Sequence, residues 1–386
     1  MENSNLPIIR VKEFDNLWES NKISKIVRIS AGGDIDKLKL RKKGKYPVIA
    51  NSLMDDGIVG FYDDYKVEAP AVTVTGRGAV GHAVARHENF TPIVRLLTLK
   101  SNKIDVDFME NLINSIHILN ESTGVPQLTA PQLGSYKISF PSLAEQSAIG
   151  SLFRTLDDLL TSYKDNLANY QSLKATMLSQ MFPKAGQTVP EIRLDGFEGE
   201  WELLEINDLA DDFQSGGTPK TNVQEYWDGD IPWIQSSDLE TNCLFEIKVQ
   251  KSISEKGLKN SSAKIIPKDS IAVVTRVGVG KLVVMQHEYA TSQDFLSLSN
   301  LKSNIEFTAY LLYRLLQKEV TQLQGTSIKG ITKVELLSKK VLIPSLPEQQ
   351  AIGAYFSNLD QLITSYQEKI SQLETLKKKL LQDMFI

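Results

Sequence analysis

One motif is written twice in this chain. Pro141-Ser-Leu-Ala-Glu145-Gln-Ser-Ala-Ile149-Gly150 returns as Pro344-Ser-Leu-Pro-Glu348-Gln-Gln-Ala-Ile352-Gly353. Each copy leads a helical stretch that ends in Met-Phe, at Met181-Phe182 and at Met384-Phe385, with no gap between the copies. A second echo lies upstream. Pro7-x-Ile-Arg10-Val-x-x-Phe14-x-x-x-Trp18-Glu19 matches Pro190-x-Ile-Arg193-Leu-x-x-Phe197-x-x-x-Trp201-Glu202. A repeat unit this long is a whole domain with a connector, not a solenoid repeat. The chain must then fold as two similar globular parts, 1–140 and 184–343 (the latter including a linker), each followed by a long helix, 141–183 and 344–386.

Composition narrows the possibilities. A chain of 386 residues with 41% hydrophobic content can build two or three cores. A single cysteine, Cys243, excludes a disulfide framework and fits a reducing cytoplasm. The start, Met1-Glu-Asn-Ser-Asn, lacks the regions of a signal peptide, and no apolar run is long enough to span a membrane. His82, His87, His117, His287 and Cys243 are not spaced as a zinc site. Net charge is −4, yet Lys37, Lys39, Arg41, Lys42, Lys43 and Lys45 crowd one short stretch. That run is either a solvated loop or a strand and turn contacting phosphate. A chain this acidic is expected to rely on basic partner subunits for much of its attraction to a nucleic acid.

Short β-like runs, Ala71–Thr75 and Ile93–Leu99, precede a predicted helix over 106–120 in the first part. In the second part, Ser270–Thr275 reads as a strand and Phe307–Gln322 as an amphipathic helix. Pro47-Val-Ile-Ala-Asn-Ser52 parallels Pro232-Trp-Ile-Gln-Ser-Ser237, and Thr75-Gly-Arg-Gly-Ala-Val-Gly81 parallels Thr275-Arg-Val-Gly-Val-Gly280. Framework recurs while the intervening segments diverge, as expected of two domains that share a fold but read different targets. Pro183-Lys-Ala-Gly186-Gln-Thr-Val-Pro190 is a linker, and the order of elements is ring-like, which implies a closed pseudo-two-fold arrangement.

The apolar stripe of the first helix is Leu156, Leu160, Tyr163, Leu167, Tyr170, Leu173, Met177, Met181. In the second it is Leu359, Ile363, Tyr366, Ile370, Leu373, Leu376, Leu380, Met384. Both open as heptads and close with a spacing of three, four, four, a hendecad that should relax the supercoil. The simplest mate for each stripe is the other helix, antiparallel. Each helix packing on its own domain is the alternative. A rod of some 38 residues is about 57 Å long, which would make it a ruler.

Motifs for chemistry are missing. Gly76-Arg77-Gly78-Ala79-Val80-Gly81 fits G-x-G-x-x-G, but His82-Ala-Val-Ala-Arg86 follows with strand alternation where a dinucleotide site needs a helix. A tight turn bringing Arg77, or Lys281 in the second copy, near a phosphate fits better, with a plain hairpin the alternative. Asp238, Glu246 and Lys248 form only a loose nuclease-like pattern that has no first-half counterpart. There is no Asn/Asp-Pro-Pro-Tyr/Phe element and no Walker-type loop. What remains is polar and loop-borne: Thr218, Lys220, Gln235, Ser236, Ser237, Arg276, Ser327 and Lys329 in the second half, and Asn51, Ser52, Arg77, Gln127 and Thr129 in the first. These side chains can bond base edges or phosphates. Duplex DNA, a target with two similar halves, suits two copies of one surface.

The stretch Gly216-Gly217-Thr218-Pro219…Tyr226-Trp227-Asp228-Gly229-Asp230-Ile231-Pro232-Trp233-Ile234…Ser236-Ser237-Asp238-Leu239 resembles the target-recognition domain of type I restriction–modification specificity subunits. Ile343-Pro344-Ser-Leu-Pro-Glu348-Gln-Gln-Ala-Ile352 resembles the opening of that family's conserved helix. The resemblance implies an α+β chain of two target-recognition domains joined by two long antiparallel helices in a coiled coil. It implies that the chain reads a bipartite, asymmetric site in double-stranded DNA and performs no chemistry itself. Two methyltransferase (modification) subunits using S-adenosylmethionine would dock on it, and two restriction–translocase subunits using ATP and Mg could join. The first domain departs from the pattern, keeping only Tyr46-Pro47-Val48-Ile49 of the Tyr-Trp-Asp-Gly-Asp-Ile-Pro segment. A self-contained DNA methyltransferase or nuclease, and a purely structural scaffold, are the competing readings.

Overall fold

A computed structural model describes residues 6–116, 118, 127–322 and 330–385. The chain divides into two units, Met1–Asn166 with Tyr366–Ile386, and Leu167–Ser365. The first long helix, Leu143–Gln180, has 38 residues and the second, Leu346–Met384, has 39. Each unit therefore holds one end of either helix.

The first unit is built on an antiparallel four-stranded sheet in the order Arg28–Ala31, Leu96–Lys100, Ala71–Thr75, Ala83–Arg86. A three-stranded sheet sets Tyr46–Ile49 between Ile58–Tyr62 and the parallel Thr91–Pro92. Glu19–Lys22 pairs with Lys137–Phe140 beside the start of the long helix. Ala71–Thr75 is buried along its whole length, as a β-branched central strand should be. Helix Val106–Ser115 covers the sheet with Phe108, Met109, Leu112 and Ile113.

The second unit repeats this plan. Its four-stranded sheet runs Ala210–Ser215, Phe295–Leu301, Ser270–Val274, Leu282–Met285. The three-stranded sheet is Lys251–Ile253, Trp227–Ile234 and the parallel Ala290–Thr291, and Glu202–Glu205 pairs with Lys340–Ile343. Helix Ile305–Gln322 covers the four-stranded sheet. The fold is α+β, and the duplication seen in the sequence extends to the topology.

The repeated motif has a physical explanation in each unit. Glu145 is buried and accepts two bonds from Arg10, at 2.7 and 2.8 Å; Glu348 accepts two from Arg193, at 2.8 and 2.7 Å. Such bidentate, charge-assisted pairs fasten the preceding arm to the helix start. Gln146 accepts from the Asp105 N–H at 2.9 Å and donates to Pro141 O at 2.9 Å. Gln349 does the same with Asn304 (2.9 Å) and Pro344 (2.8 Å). A Cβ on Gly150 would sit 2.7 Å from Asp105 Oδ1 and 2.9 Å from Phe108 N. On Gly353 it would sit 2.7 Å from Asn304 Oδ1 and 3.0 Å from Phe307 N. Only glycine lets the covering helix begin this close.

Within each unit the long helices run antiparallel. In the first, Lys164 pairs with Glu374 at 2.7 Å, Lys377 with Asp157, and Phe385 lies tilted against Phe153 at 5.7 Å. Tyr163 and Tyr366 meet at 5.4 Å. In the second, Lys174 pairs with Asp360, and Phe182 lies 6.1 Å from Phe356. Met384 and Phe385 belong to the first unit's core with Leu156, and Leu373 and Leu380 pack against it. Met181, Phe182 and Leu359 belong to the second unit's core, with Tyr170 and Met177 packed against it. Leu160 is buried; Leu167, Ile363 and Ile370 are half-buried.

Leu173 and Leu376, expected on the stripe, point outward at 37% and 44% exposure. Lys174, 7% exposed, and Lys377 take their places. The stripes then run Tyr170, Lys174, Met177, Met181 and Leu373, Lys377, Leu380, Met384, an unbroken heptad. The hendecad expectation fails because a lysine whose ammonium is matched by an aspartate can occupy an apolar seam.

Candidate nucleic-acid interface

In the first unit the basic run Lys37–Lys45 forms a surface loop tethered by Tyr62, whose hydroxyl accepts from Asp36 N–H at 2.8 Å. Arg41 pairs with Asp63 at 2.9 Å and Lys39 with Asp64 at 3.9 Å, all well exposed. Exposed pairs like these contribute little to stability and can reopen toward phosphate. Lys45 lies 5.0 Å from the Tyr46 ring centre, and its hydrogen bond to Tyr46 raises its pKa above the usual lysine value. Lys37, Lys42 and Lys43 are exposed and have no partner among the described residues.

Asn51 is occupied by the protein itself. Its Oδ1 accepts from Gly76 N–H at 2.7 Å and its Nδ2 donates to Val94 O at 3.1 Å. It pins the turn that carries Arg77. Ser52 Oγ accepts from Met54 N–H at 3.1 Å, and Thr129 caps helix Ala130–Ser135 in a reciprocal box with Gln132. Gln127 bridges the backbone of Arg77. Arg77 itself is exposed, with no acceptor among the described residues.

The second unit sorts the same way. Gln235 bonds Asp238 through both backbone and side chain, at 3.1 and 3.4 Å. Lys281 donates to Leu239 O at 2.7 Å and Ser236 O at 3.4 Å, so its charge serves the loop Gln235–Leu239. Thr218 donates to Gln293 at 2.6 Å. The tryptophans of the Tyr-Trp-Asp-Gly-Asp-Ile-Pro-Trp segment fasten the adjoining loop. Trp233 donates to Gly217 O at 3.0 Å and Trp227 to Lys220 O at 3.2 Å, with the rings edge to face at 5.1 Å. Ser237, Lys220 and Arg276 are exposed, and the two cations have no acceptor among the described residues. Arg276 borders a cleft of about 890 Å³ with Gly216, Gln293 and Gly330. Ser327 and Lys329 lie outside the described residues.

One residue escaped the sequence reading. Arg95, inside a run taken as an apolar strand, has φ +69 and is exposed. Its carbonyl oxygen would lie 2.3 Å from a Cβ on Gly76, so it abuts the Arg77 turn. The signal was a charged residue interrupting Ile93–Leu99. Among the described residues, no helix is long and apolar enough to cross a membrane.

The type I restriction modification DNA specificity domain model matches residues 16–170 and 198–375. The type I restriction enzyme MjaIX specificity subunit of Methanocaldococcus jannaschii is 28% identical over 194 residues, 48% of this chain and 44% of that one. A second chain from that organism, named for the MjaX specificity subunit, is 22% identical over 96% of this chain and 93% of its own length. The crystal structure of a type I restriction–modification system S subunit from M. genitalium superposes with a TM-score of 0.68, at 17% identity and 99% coverage of both chains. That likeness is one of fold. With both repeats matched, the chain belongs to the family of the type I restriction modification DNA specificity domain.

Proposed function

We propose that this chain is the non-catalytic DNA-reading subunit of a cytoplasmic type I restriction–modification enzyme. Each unit reads one half of a bipartite, asymmetric site, and the paired helices set the unspecified spacer between the halves. The observation that carries this reading is the double occurrence of one topology, each copy presenting unpaired cations on the turns and loops of its sheets. Lys37, Lys42, Lys43 and Lys220 supply phosphate contacts, which orient the duplex and make binding salt-dependent. Lys39, Arg41 and Lys45 join them when their exposed partners give way.

Two modification subunits using S-adenosylmethionine dock on the helices. The outward faces support two like docking sites, because Leu159 and Leu362 recur at matching positions, 42% and 41% exposed, as do Leu173 and Leu376. A pattern that recurs on both helices gives the two docking sites the same chemistry. Restriction–translocase subunits using ATP and Mg are further partners.

The test is methylome sequencing of a host with and without this chain. Loss of one bipartite methylated motif is the expected result. Methyl transfer to DNA by the isolated chain with labelled S-adenosylmethionine would instead make it a self-contained methyltransferase and defeat the proposal.

A further inference from the structure

The turn that leaves the central strand of each four-stranded sheet is built alike in both units. Thr75 N–H donates to His82 O at 2.9 Å, and Val274 N–H to Lys281 O at 3.0 Å. Leu128 N–H reaches Gly76 O at 2.9 Å, and Ile331 N–H reaches Thr275 O at 2.7 Å. These bonds superimpose Gly76-Arg-Gly-Ala-Val-Gly81 on Thr275-Arg-Val-Gly-Val-Gly280 without a gap. Arg77 and Arg276 then occupy one position, which a match through Thr75 and Thr275 had put one residue apart.

Three of the six positions keep their residue. Val80 and Val279 pack against their units' cores. Gly81 and Gly280 have φ of +88 and +106, where a side chain is strained. Packing and backbone geometry account for those two. They do not account for the arginine, which in both units is the first exposed residue of the turn and has no acceptor among the described residues.

A guanidinium presents a planar fork of donors whose best partners are a carboxylate, a phosphate or the O6 and N7 edge of guanine. The cations without a partner on the basic loops are lysines, Arg41 there being paired with Asp63, whereas this turn, whose backbone is held on both sides, carries an arginine in both units. Phosphate attraction needs only charge, whereas reading a base edge needs a fork at a fixed place. We propose that Arg77 and Arg276 each read a guanine, one in each half-site. This deepens, and rests on, the reading of the chain as the specificity subunit.

The test uses the full chain assembled with its modification subunits. The recognised site is first defined by methylation of a random-sequence plasmid library, and binding is then measured by fluorescence anisotropy on that site and its single-base variants. A G·C pair is expected in each half-site. Arg276→Lys and Arg276→Ala should each lose roughly 5- to 150-fold discrimination at one G·C pair of one half-site. Discrimination in the other half-site stays intact, which also reports that the variant is folded. Arg77→Lys and Arg77→Ala should give the mirror result. A uniform loss of affinity with base preference unchanged, the salt dependence falling by about one phosphate in the alanine variants, would overturn the assignment. So would a half-site without a G·C pair. A wild-type complex with no sequence preference would defeat the specificity-subunit reading itself, a different failure.

Discussion

Lys174 sits on the contact seam of the first long helix with its ammonium on the Asp360 carboxylate, and Tyr310 donates to the other oxygen of Asp360 at 2.6 Å. Burial, followed by the charge of Asp360, pushes the Tyr310 phenol far above its ordinary pKa, so it acts only as a donor. Asp360→Ala leaves the lysine buried without its counter-charge and should cost about 3–5 kcal/mol. The double variant Lys174→Met/Asp360→Leu should recover most of that. The repeat counterparts, Lys377 and Asp157, are 27% and 44% exposed, so Asp157→Ala should cost under about 1 kcal/mol. Urea denaturation of the four proteins checks the ranking. Equal costs at the two aspartates would mean that desolvation does not govern these pairs.

A fragment ending near Ala185 lacks Met384 and Phe385, which complete the first unit's core beside Phe108 and Phe153. Its own Met181 and Phe182 are the repeat copies of the missing pair. The expected outcome is a dimer in sedimentation equilibrium, each copy filling the other's gap. With its partner subunits this dimer should recognise a palindrome of the first half-site. A stable monomer would show that the core closes without the helix end.

Glu110 lies on the covering helix of the first unit, where burial, the largest effect, raises its pKa from 4.5 to about 7; the nearby charge of Asp157 adds to this. Its folded pKa lies above its unfolded one, so the folded state holds the proton more tightly. Stability should therefore fall as pH rises from about 4.5 to 7 and then level off. Glu110→Gln should gain on the order of 3 kcal/mol at pH 8 and nothing near pH 4. Thermal or urea unfolding across pH reads this directly. A gain independent of pH would point to packing rather than titration.

The unbroken heptad dictates how the helices can be lengthened. Seven residues inserted into both should preserve the seam and its lysines, adding about 10 Å, or roughly three base pairs of duplex. Methylome sequencing should show a longer spacer between unchanged half-sites. Changed half-site bases with the old spacer would contradict the ruler.

Much of this was legible in the sequence because it was written twice. The long helices, the strands Ala71–Thr75 and Ser270–Val274, and the second covering helix lie where periodicity placed them. The first covering helix, expected over 106–120, instead stops at Ser115 with Ile116 extended, and 117, 119 and 120 lie outside the described residues. The seam was misread at one turn because Lys174 and Lys377 were counted as polar, while their aspartate partners lie 186 and 220 residues away in the chain. Among the loop residues, polarity marked candidates but could not tell a free side chain from a pin. Asn51 bonds backbone groups 25 and 43 residues distant, and such bonds exist only once the chain has folded. The equivalence of Arg77 and Arg276 stayed hidden for the same reason: identity favoured threonine on threonine, and only the hydrogen bonds set the register.

The Met-Phe anchors have a consequence for biogenesis. The first unit's core takes in Met384 and Phe385, so it is incomplete while those residues are still inside the ribosome. For most of synthesis the first module must wait with an unfilled apolar socket, and the second, although its anchor Met181-Phe182 emerges early, still waits for Phe356 and Leu359. N-terminal domains ordinarily fold first during translation; here both modules wait for the second long helix, and the end that was made earliest spends the longest time exposed to aggregation or chaperone capture.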